Sequence, residues 1–445
     1  MKIILFTFFV SFYAPAISQT INISDYNKTI YTTRFTKKSK AKAFYAEIPP
    51  WVIKDGQYHY FFTTNFTACW SSTWSLGNPI NEIKELGSKK DLGPKWILTA
   101  ANWWQKFYPP AVLENPLYPN NQQWQTDYWR RNYNGIFCAH IITLSNTRNK
   151  ILFAVSHGEN KNEKQDSYFY QNTVRPSFTI NPGDATTFSG MSNGSYKDCR
   201  EAYFGFLNGS WVAYDTTGKW SNEYLNDIGP IAWPSAGYVN TDNTQASTGL
   251  RHPSSIVNDN YIYIFVKDES NDGTGGIKLI RCLLDSILKP NCFETWSAIQ
   301  TWVPSLPKGF SKNLCGNFFS SRGPKNTPVF PNDRNTIRFS VAKFKNTNQF
   351  IGVEQYNDEQ DNNHSKLAFR FSQDLIHWSD RVNFFNNTEH NWDDMPLKYP
   401  IFLSADGTSN TEVDKDQFYV IGTSGNNSVS RLLFSSNIAH PTLSK

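Results

Sequence analysis

The sequence predicts an all-β chain folded as a single five-bladed β-propeller with four-stranded antiparallel blades. Three observations predict it. One phrase recurs: an apolar strand, a polar Asp/Asn/Gly turn, then a strand rich in aromatic and β-branched residues. It reads Val52-Ile53-Lys54-Asp55-Gly56-Gln57-Tyr58-His59-Tyr60-Phe61-Phe62 and again Ser255-Ile256-Val257-Asn258-Asp259-Asn260-Tyr261-Ile262-Tyr263-Ile264-Phe265. It returns in Phe339–Phe344 with Phe350–Glu354, in Ile401–Asp406 with Gln417–Ile421, and in Ala139–Leu144 with Lys150–Val155. Several units then close on a turn ending in Trp: Ser372-Gln373-Asp374-Leu375-Ile376-His377-Trp378, Thr217-Gly218-Lys219-Trp220 and Phe293-Glu294-Thr295-Trp296. Helical periodicity is nearly absent, with one weak candidate at Asn81–Leu86. Five hairpin-led units give five blades, whose first strands gather around one axial pocket.

The elements follow in order. Residues 1–18 read as a secretory signal: Lys2 supplies the charge, Ile3–Phe12 the apolar segment and Ala16-Ile17-Ser18 the small residues before cleavage. That segment is too short to span a bilayer comfortably. No Cys follows the cleavage point and no later stretch is long and apolar enough to span, so the expectation is a secreted, soluble protein beginning at Gln19. Residues 19–46 lead into the ring and residues 47–445 form it, with hairpins beginning near Pro50, His140, His252, Phe339 and Tyr399. The longest gap, between the second and third, holds Tyr203–Tyr214. Its Asn208-Gly209 pair reads as a hairpin turn in the outer half of the second blade, which carries an insertion.

Composition narrows the partners. Of 445 residues only 18% are charged and 16% are aromatic, with 15 Trp. Most of those aromatics are expected to wedge between blades, and a remainder suits a sugar. The net charge is +5, and the one basic run, Lys37-Lys38-Ser39-Lys40-Ala41-Lys42, lies outside the repeats, so neither nucleic acid nor a membrane is expected as a partner. The expected state is a monomer. Six Cys in an exported chain point to disulfides. Cys282 and Cys292 make the best pair, leaving three pairings among Cys69, Cys138, Cys199 and Cys315. Sequons at Asn22, Asn27, Asn65, Asn193, Asn208, Asn363, Asn386 and Asn426 are glycosylated surface positions in a eukaryotic source and bare in a bacterial one. Ser372 and Asp374 have the chemistry of a tight turn, which gives Asp374 a structural role.

The Ser-x-Asp-Leu-x-x-Trp run, with strand-turn-strand hairpins such as Pro253–Phe265, resembles the five-bladed β-propeller glycosidases, the arabinanase, β-xylosidase and invertase group. The likeness covers roughly residues 48 to 440. Sialidases carry a similar turn with an added Gly and one more residue, which this chain lacks. The resemblance implies a glycoside hydrolase with an oligosaccharide or polysaccharide substrate and no cofactor. It also implies an Asp opening the first blade as base or nucleophile. That place here reads Ala46-Glu47-Ile48-Pro49-Pro50-Trp51, where Glu47 is the only carboxylate, and His140 opens the second blade where a carboxylate is expected. Two functions therefore stand: a hydrolase with a rearranged apparatus, or a non-catalytic carbohydrate-binding or surface-interaction protein on the same scaffold.

In such a blade the start of the first strand and the end of the second share the pocket face. Starts offer Glu47, His140, Arg251, His252, Arg338 and Tyr399. Ends offer His157, Glu159, Lys267, Asp268, Glu269, Glu354 and Gln355. Hydrolysis needs two carboxyl groups, so the catalytic candidates are Glu159, Asp268 and Glu354. Glu159 is the preferred acid because His157-Gly158 precede it. His140, His157, Arg251, His252 and Arg338 are the substrate-binding candidates, and a solvated rim is the plain alternative. No metal is expected. His140, His157 and His252 could also ring a structural cation or water at the axis, although ordinary hydrogen-bonded histidines explain them as well. Asp272-Gly273-Thr274-Gly275-Gly276 joins two strands and reads as a hairpin turn, not a phosphate loop. No Gly-Lys-Ser/Thr loop, His-Glu-x-x-His, Cys-x-x-Cys or Gly-x-Ser-x-Gly motif occurs.

Overall fold

The computed structural model describes residues 26–33, 49, 51–55, 58–62, 67–71, 132–162, 167–168, 206–214, 226–238, 246–289, 291–310, 321–325, 328–330, 335–358, 361–386, 397–424 and 428–436, some by backbone alone. Their regular structure is strand, apart from one 3-10 turn at Leu284–Ser286. None of it is a helix long and apolar enough to cross a membrane. The signal segment, Glu47, the Asn81–Leu86 candidate, the Thr217–Trp220 turn and the side chains of all eight sequon asparagines lie outside the described residues.

The strands form five separate sheets. β1 (Tyr26–Thr33) is the first of the described strands and belongs to the last sheet. The first sheet is β2 (Trp51–Asp55), β3 (Tyr58–Phe62) and β4 (Thr67–Ser71). The second is β5 (Asn132–Thr143), β6 (Lys150–Asn162), β8 (Phe206–Tyr214) and β9 (Asn226–Ala232), with β7 (Ser167–Tyr168) paired to the end of β6. The third is β10 (Ser247–Asn258), β11 (Tyr261–Ser270), β12 (Gly276–Leu283), β13 (Glu294–Trp296) and β14 (Trp302–Pro304). The fourth is β15 (Thr336–Phe344), β16 (Phe350–Asp358), β17 (Asp361–Ser372) and β18 (Val382–Asn386). The fifth is β19 (Lys398–Ser404), β21 (Gln417–Ser424), β22 (Ser428–Ser436) and β1. Between β19 and β21, β20 (Glu412–Val413) crosses to run parallel to β15. Among the described residues the sheets have three to five strands, beside the uniform four expected. The additions sit at sheet edges, where β14 and β20 cover backbone groups that would otherwise be open.

The first strands β2, β5, β10, β15 and β19 lie side by side in chain order. Polar side chains tie each to the next. Trp51 Nε1 donates to the Ala139 carbonyl at 2.8 Å. His140 Nε2 and Ser255 Oγ are 2.7 Å apart, and Ser254 Oγ donates to the Phe339 carbonyl at 2.7 Å. From β16, the neighbour of β15, Gln355 Oε1 accepts from the Tyr399 N–H of β19 at 2.8 Å. β2 also meets the segment that follows β19: Val52 N–H donates to Asn410 Oδ1, and Ile53 bridges Ser409. β1 pairs with β22 along its whole length, so part of the segment preceding the first sheet completes the last one.

Aromatic side chains fill the gaps between sheets, as the composition suggested. Phe369 stacks on Phe384 at 4.2 Å and meets Phe402, Phe418 and Phe434 of the fifth sheet. The Ser372–Trp378 turn serves the same purpose. Ser372 Oγ accepts from Leu375 N–H at 2.9 Å, and Asp374 Oδ1 accepts from Ile376 and His377 N–H at 2.9 and 2.8 Å. Trp378 Nε1 donates to the Leu375 carbonyl at 3.0 Å, and its ring stands edge-on to Phe339 and to Phe265 of the third sheet. Asp374 is thereby fully occupied in the turn.

Gly352 lies under this aromatic group. A Cβ there would meet Phe339 Cζ at 2.1 Å and Trp378 Cζ3 at 3.1 Å, and Phe339 is buried with nowhere to retreat. Gly352→Ala is therefore expected to destabilise by about 1–3 kcal/mol through overpacking. Denaturant midpoints check this, and Gly352→Ala combined with Phe339→Leu should recover part of the loss.

Three local readings are corrected. Asn208-Gly209 makes no turn: both lie inside β8, paired to β6 throughout. Gly209 is there for close approach, since a Cβ would meet Ile228 Cδ1 at 2.7 Å. β5 and β10 begin at Asn132 and Ser247, several residues before the expected His140 and His252. The Cys282–Cys292 disulfide is present with a Cα separation of 5.7 Å, but Cys138 is a buried thiol outside any disulfide, which removes the three pairings that included it.

Candidate functional site

Four of the first strands carry a register shift: between Ile136 and Cys138 in β5, Arg251 and Ser254 in β10, Thr336 and Arg338 in β15, and Lys398 and Ile401 in β19. An extra residue at such a point re-aims the side chains beside it. The re-aimed side chains meet. The His252 ring lies 4.9 Å from Tyr399 and 6.2 Å from Phe137, and Arg338 Cζ stands 5.7 Å from the Phe137 ring centre. β5 and β15, and β10 and β19, are each separated by an intervening first strand, so these contacts skip a neighbour.

Backbone strain marks the same place. His252 and Tyr399 have φ of 53° and 54°, a left-handed conformation that costs a non-glycine residue on the order of 1–3 kcal/mol. Both precede a proline, in Arg251-His252-Pro253 and Lys398-Tyr399-Pro400. The Gln355 side chain holds the Tyr399 N–H, and His252 Nδ1 lies 3.2 Å from the Ile337 carbonyl. A carbonyl only accepts, so Nδ1 carries the proton and Nε2 is the ring's acceptor. Burial, helped by the Arg338 charge, lowers the His252 pKa to about 3, so the ring is neutral at physiological pH. His252 and Tyr399 are partly exposed above a fully buried Arg338 and Phe137.

Arg338 and His252, both expected at the pocket, are thus brought together. The other candidates are placed differently. His140 is a correction to the expected strand start: it lies mid-strand in β5, opposite Phe153, bonded to Ser255 and edge-on to Trp51 at 5.8 Å. Burial lowers its pKa to about 4. Arg251 pairs with Glu269 at 3.2 Å. His157 and Glu159 are in β6 by backbone, but their side chains lie outside the described residues.

Asp268 and Glu354 were expected in an open pocket, and each is instead enclosed. Asp268 is 0% exposed. It accepts from Ser235 N–H and Oγ at 2.9 and 2.8 Å and from Ser270 Oγ at 2.6 Å, with Lys278 Nζ at 3.6 Å. Glu354 is also 0% exposed and accepts from Thr336 Oγ1, from Arg370 Nε at 2.7 Å, and from Arg381 Nε and Nη2 at 3.0 and 2.7 Å. Burial alone would raise the Glu354 carboxyl, but the Arg381 hydrogen bonds and the charges of Arg370 and Arg381 hold it below its usual value. Among the described residues no cluster of three or more His, Cys, Asp or Glu is placed to hold a metal. The Arg338 charge also opposes a cation beside His252.

Phe137 and Cys138 reach the site without having been anticipated. Cys138 is fully buried, and its thiol is pushed up to about 12 by desolvation, so it stays protonated. The paired cation-aromatic-proline tripeptides at 251–253 and 398–400 were the signal that could have marked the strained pair.

No protein-family model matches the chain, and no curated protein does. Among solved structures it is similar to the catalytic domain of a GH62 α-L-arabinofuranosidase from Coprinopsis cinerea, with 7% identity, 93% of this chain and 97% of that chain covered, and a TM-score of 0.38. It is similar to an α-L-arabinanase from Cellvibrio cellulosa, with 11% identity, 86% and 90% covered, and a TM-score of 0.36. It is also similar to an N-acetylgalactosamine deacetylase from F. plautii, with 10% identity, 93% and 96% covered, and a TM-score of 0.35. At these values the likeness carries no weight for activity.

Proposed function

We propose that the five sheets are the blades of a five-bladed β-propeller, exported after removal of residues 1–18 and monomeric, which binds an oligosaccharide or polysaccharide at its axis. What supports the ring is the unbroken neighbour order of the five first strands and the Val52–Asn410 link that returns it to its start. What supports a sugar is the sequence resemblance, together with two partly exposed rings, His252 and Tyr399, over a buried hydrogen-bond donor, Arg338. A few polar groups among aromatic surfaces suit a ligand with both apolar faces and hydroxyl edges.

One observation favours binding over hydrolysis: Asp268 and Glu354 are both fully buried and saturated by their own partners. A general acid must hold a proton near the substrate, and Glu354 is kept ionised by two guanidinium groups. Hydrolysis is the second reading, with Glu159 as the acid, and its His157-Gly158-Glu159 setting is what favours it.

Calorimetric titration with neutral and acidic oligosaccharides, run beside a reducing-sugar assay, tests both. Binding without turnover, weakened at least about tenfold by Tyr399→Asn, is the expected result. Asn tolerates the left-handed backbone, so the variant removes the ring alone. Turnover abolished by Glu159→Gln would establish hydrolysis instead. Neither binding nor turnover would overturn the carbohydrate reading.

A further inference from the structure

Arg338 is 0% exposed, and its Nη1 and Nη2 have no hydrogen-bond partner among the described residues. Its Nε reaches only Ser340 Oγ, at 3.4 Å. The other buried or near-buried cations among the described residues each face a carboxylate: Lys278 faces Asp268 at 3.6 Å, Arg370 faces Glu354 at 2.7 Å and Arg251 faces Glu269 at 3.2 Å. Among the described residues Arg338 faces the Phe137 ring, the Cys138 thiol and Tyr399 rather than a carboxylate. A guanidinium taken out of water without a counter-charge or acceptors is strongly unfavourable. An aromatic ring at 5.7 Å offsets only a small part of that.

We infer that the axis holds a small monoanion, chloride or the carboxylate of an acidic sugar, on the two terminal nitrogens of Arg338. One positive charge calls for one negative charge, and the fork of two N–H groups suits a single acceptor or a planar carboxylate. Size is limited by the rings of Phe137, His252 and Tyr399 around it. The strained backbone of His252 and Tyr399 lies at the same site. The inference does not rest on the carbohydrate reading, because the halide alone tests it.

The experiment is thermal unfolding of the full chain at constant ionic strength in chloride, bromide, glucuronate and glucose, with a large organic sulfonate as the reference anion. Chloride or glucuronate should raise the midpoint saturably by at least about 2 °C, and glucose should not. The shift should vanish in Arg338→Met. Chloride and bromide acting alone would identify a halide site. Glucuronate acting where chloride does not would identify an acidic-sugar site. If Arg338→Met fails to fold, crystals of the unaltered chain in bromide decide: an anomalous peak within hydrogen-bond distance of both terminal nitrogens supports the site. No midpoint response in the unaltered chain, a response unchanged in Arg338→Met, or, where chloride and bromide raise the midpoint, bromide crystals without that peak would overturn it.

Discussion

Glu354→Gln should lower the stability of the chain by about 3–5 kcal/mol, because it removes the negative charge that two guanidinium groups close around. Arg370 is nearly as buried as Glu354 and packs over the Phe330 ring, so water can do little to replace the lost carboxylate. Arg381 is a quarter exposed and loses less, since water can replace part of what Glu354 supplies. A triple variant, Glu354→Met with Arg370→Leu and Arg381→Met, should recover most of the loss, as apolar groups of similar volume often do. The pH dependence has a definite sign. The folded carboxyl lies below its ordinary 4.5, so its stabilisation is fully present above about that pH and is lost as pH falls through the folded value. His140 and His252 act in the same direction but earlier. Burial lowers them from 6.5 to about 4 and about 3, so the unfolded chain takes up protons first and stability declines as pH drops below about 6.5. Unfolding measured against pH should show both stages, and Glu354→Gln should shrink the lower one, to which Asp272, Asp374 and Asp406 also contribute, while leaving the upper.

Asp268→Ala should cost a similar amount, about 3–5 kcal/mol, for a related reason. Lys278 is 0% exposed, and Asp268 is its counter-charge. Desolvation lowers the Lys278 pKa and Asp268 opposes that shift, so removing the carboxylate leaves the ammonium to lose its proton or to unfold the chain. Ser235 N–H and Oγ and Ser270 Oγ lose their acceptor at the same time. Asp268→Leu with Lys278→Met should be far milder than Asp268→Ala alone. The measurement is the denaturant midpoint read beside any turnover. A single variant that kept its midpoint while losing activity would contradict the structural role given to Asp268 here.

The chain's local chemistry was legible without coordinates. Alternating strands, the Ser372–Trp378 turn with Asp374 at its centre, and the Cys282–Cys292 pair all depend on residues close in sequence, and each is found as read. The misread Asn208-Gly209 pair shows the limit of such signals. A dipeptide common in turns sits mid-strand because β6 and β9 pair on either side of it and Ile228 needs the space. Tertiary pairing outweighed local preference there.

The order of residues dictates an all-β chain of repeated hairpins, with aromatics enough to pack sheet against sheet. The tertiary structure alone decided which side chains meet. A strand's side chains alternate with a period of two, so a one-residue register shift sends every later side chain to the other face. Those shifts, in β5, β10, β15 and β19, turned Phe137, His252, Arg338 and Tyr399 toward one another. Asp268 and Glu354 were enclosed by another part of the same three-dimensional pairing, because their partners Lys278, Arg370 and Arg381 lie on or beyond the third strand of each sheet. Neither outcome is written in spacing along the chain, since both depend on which strands become neighbours and in what register.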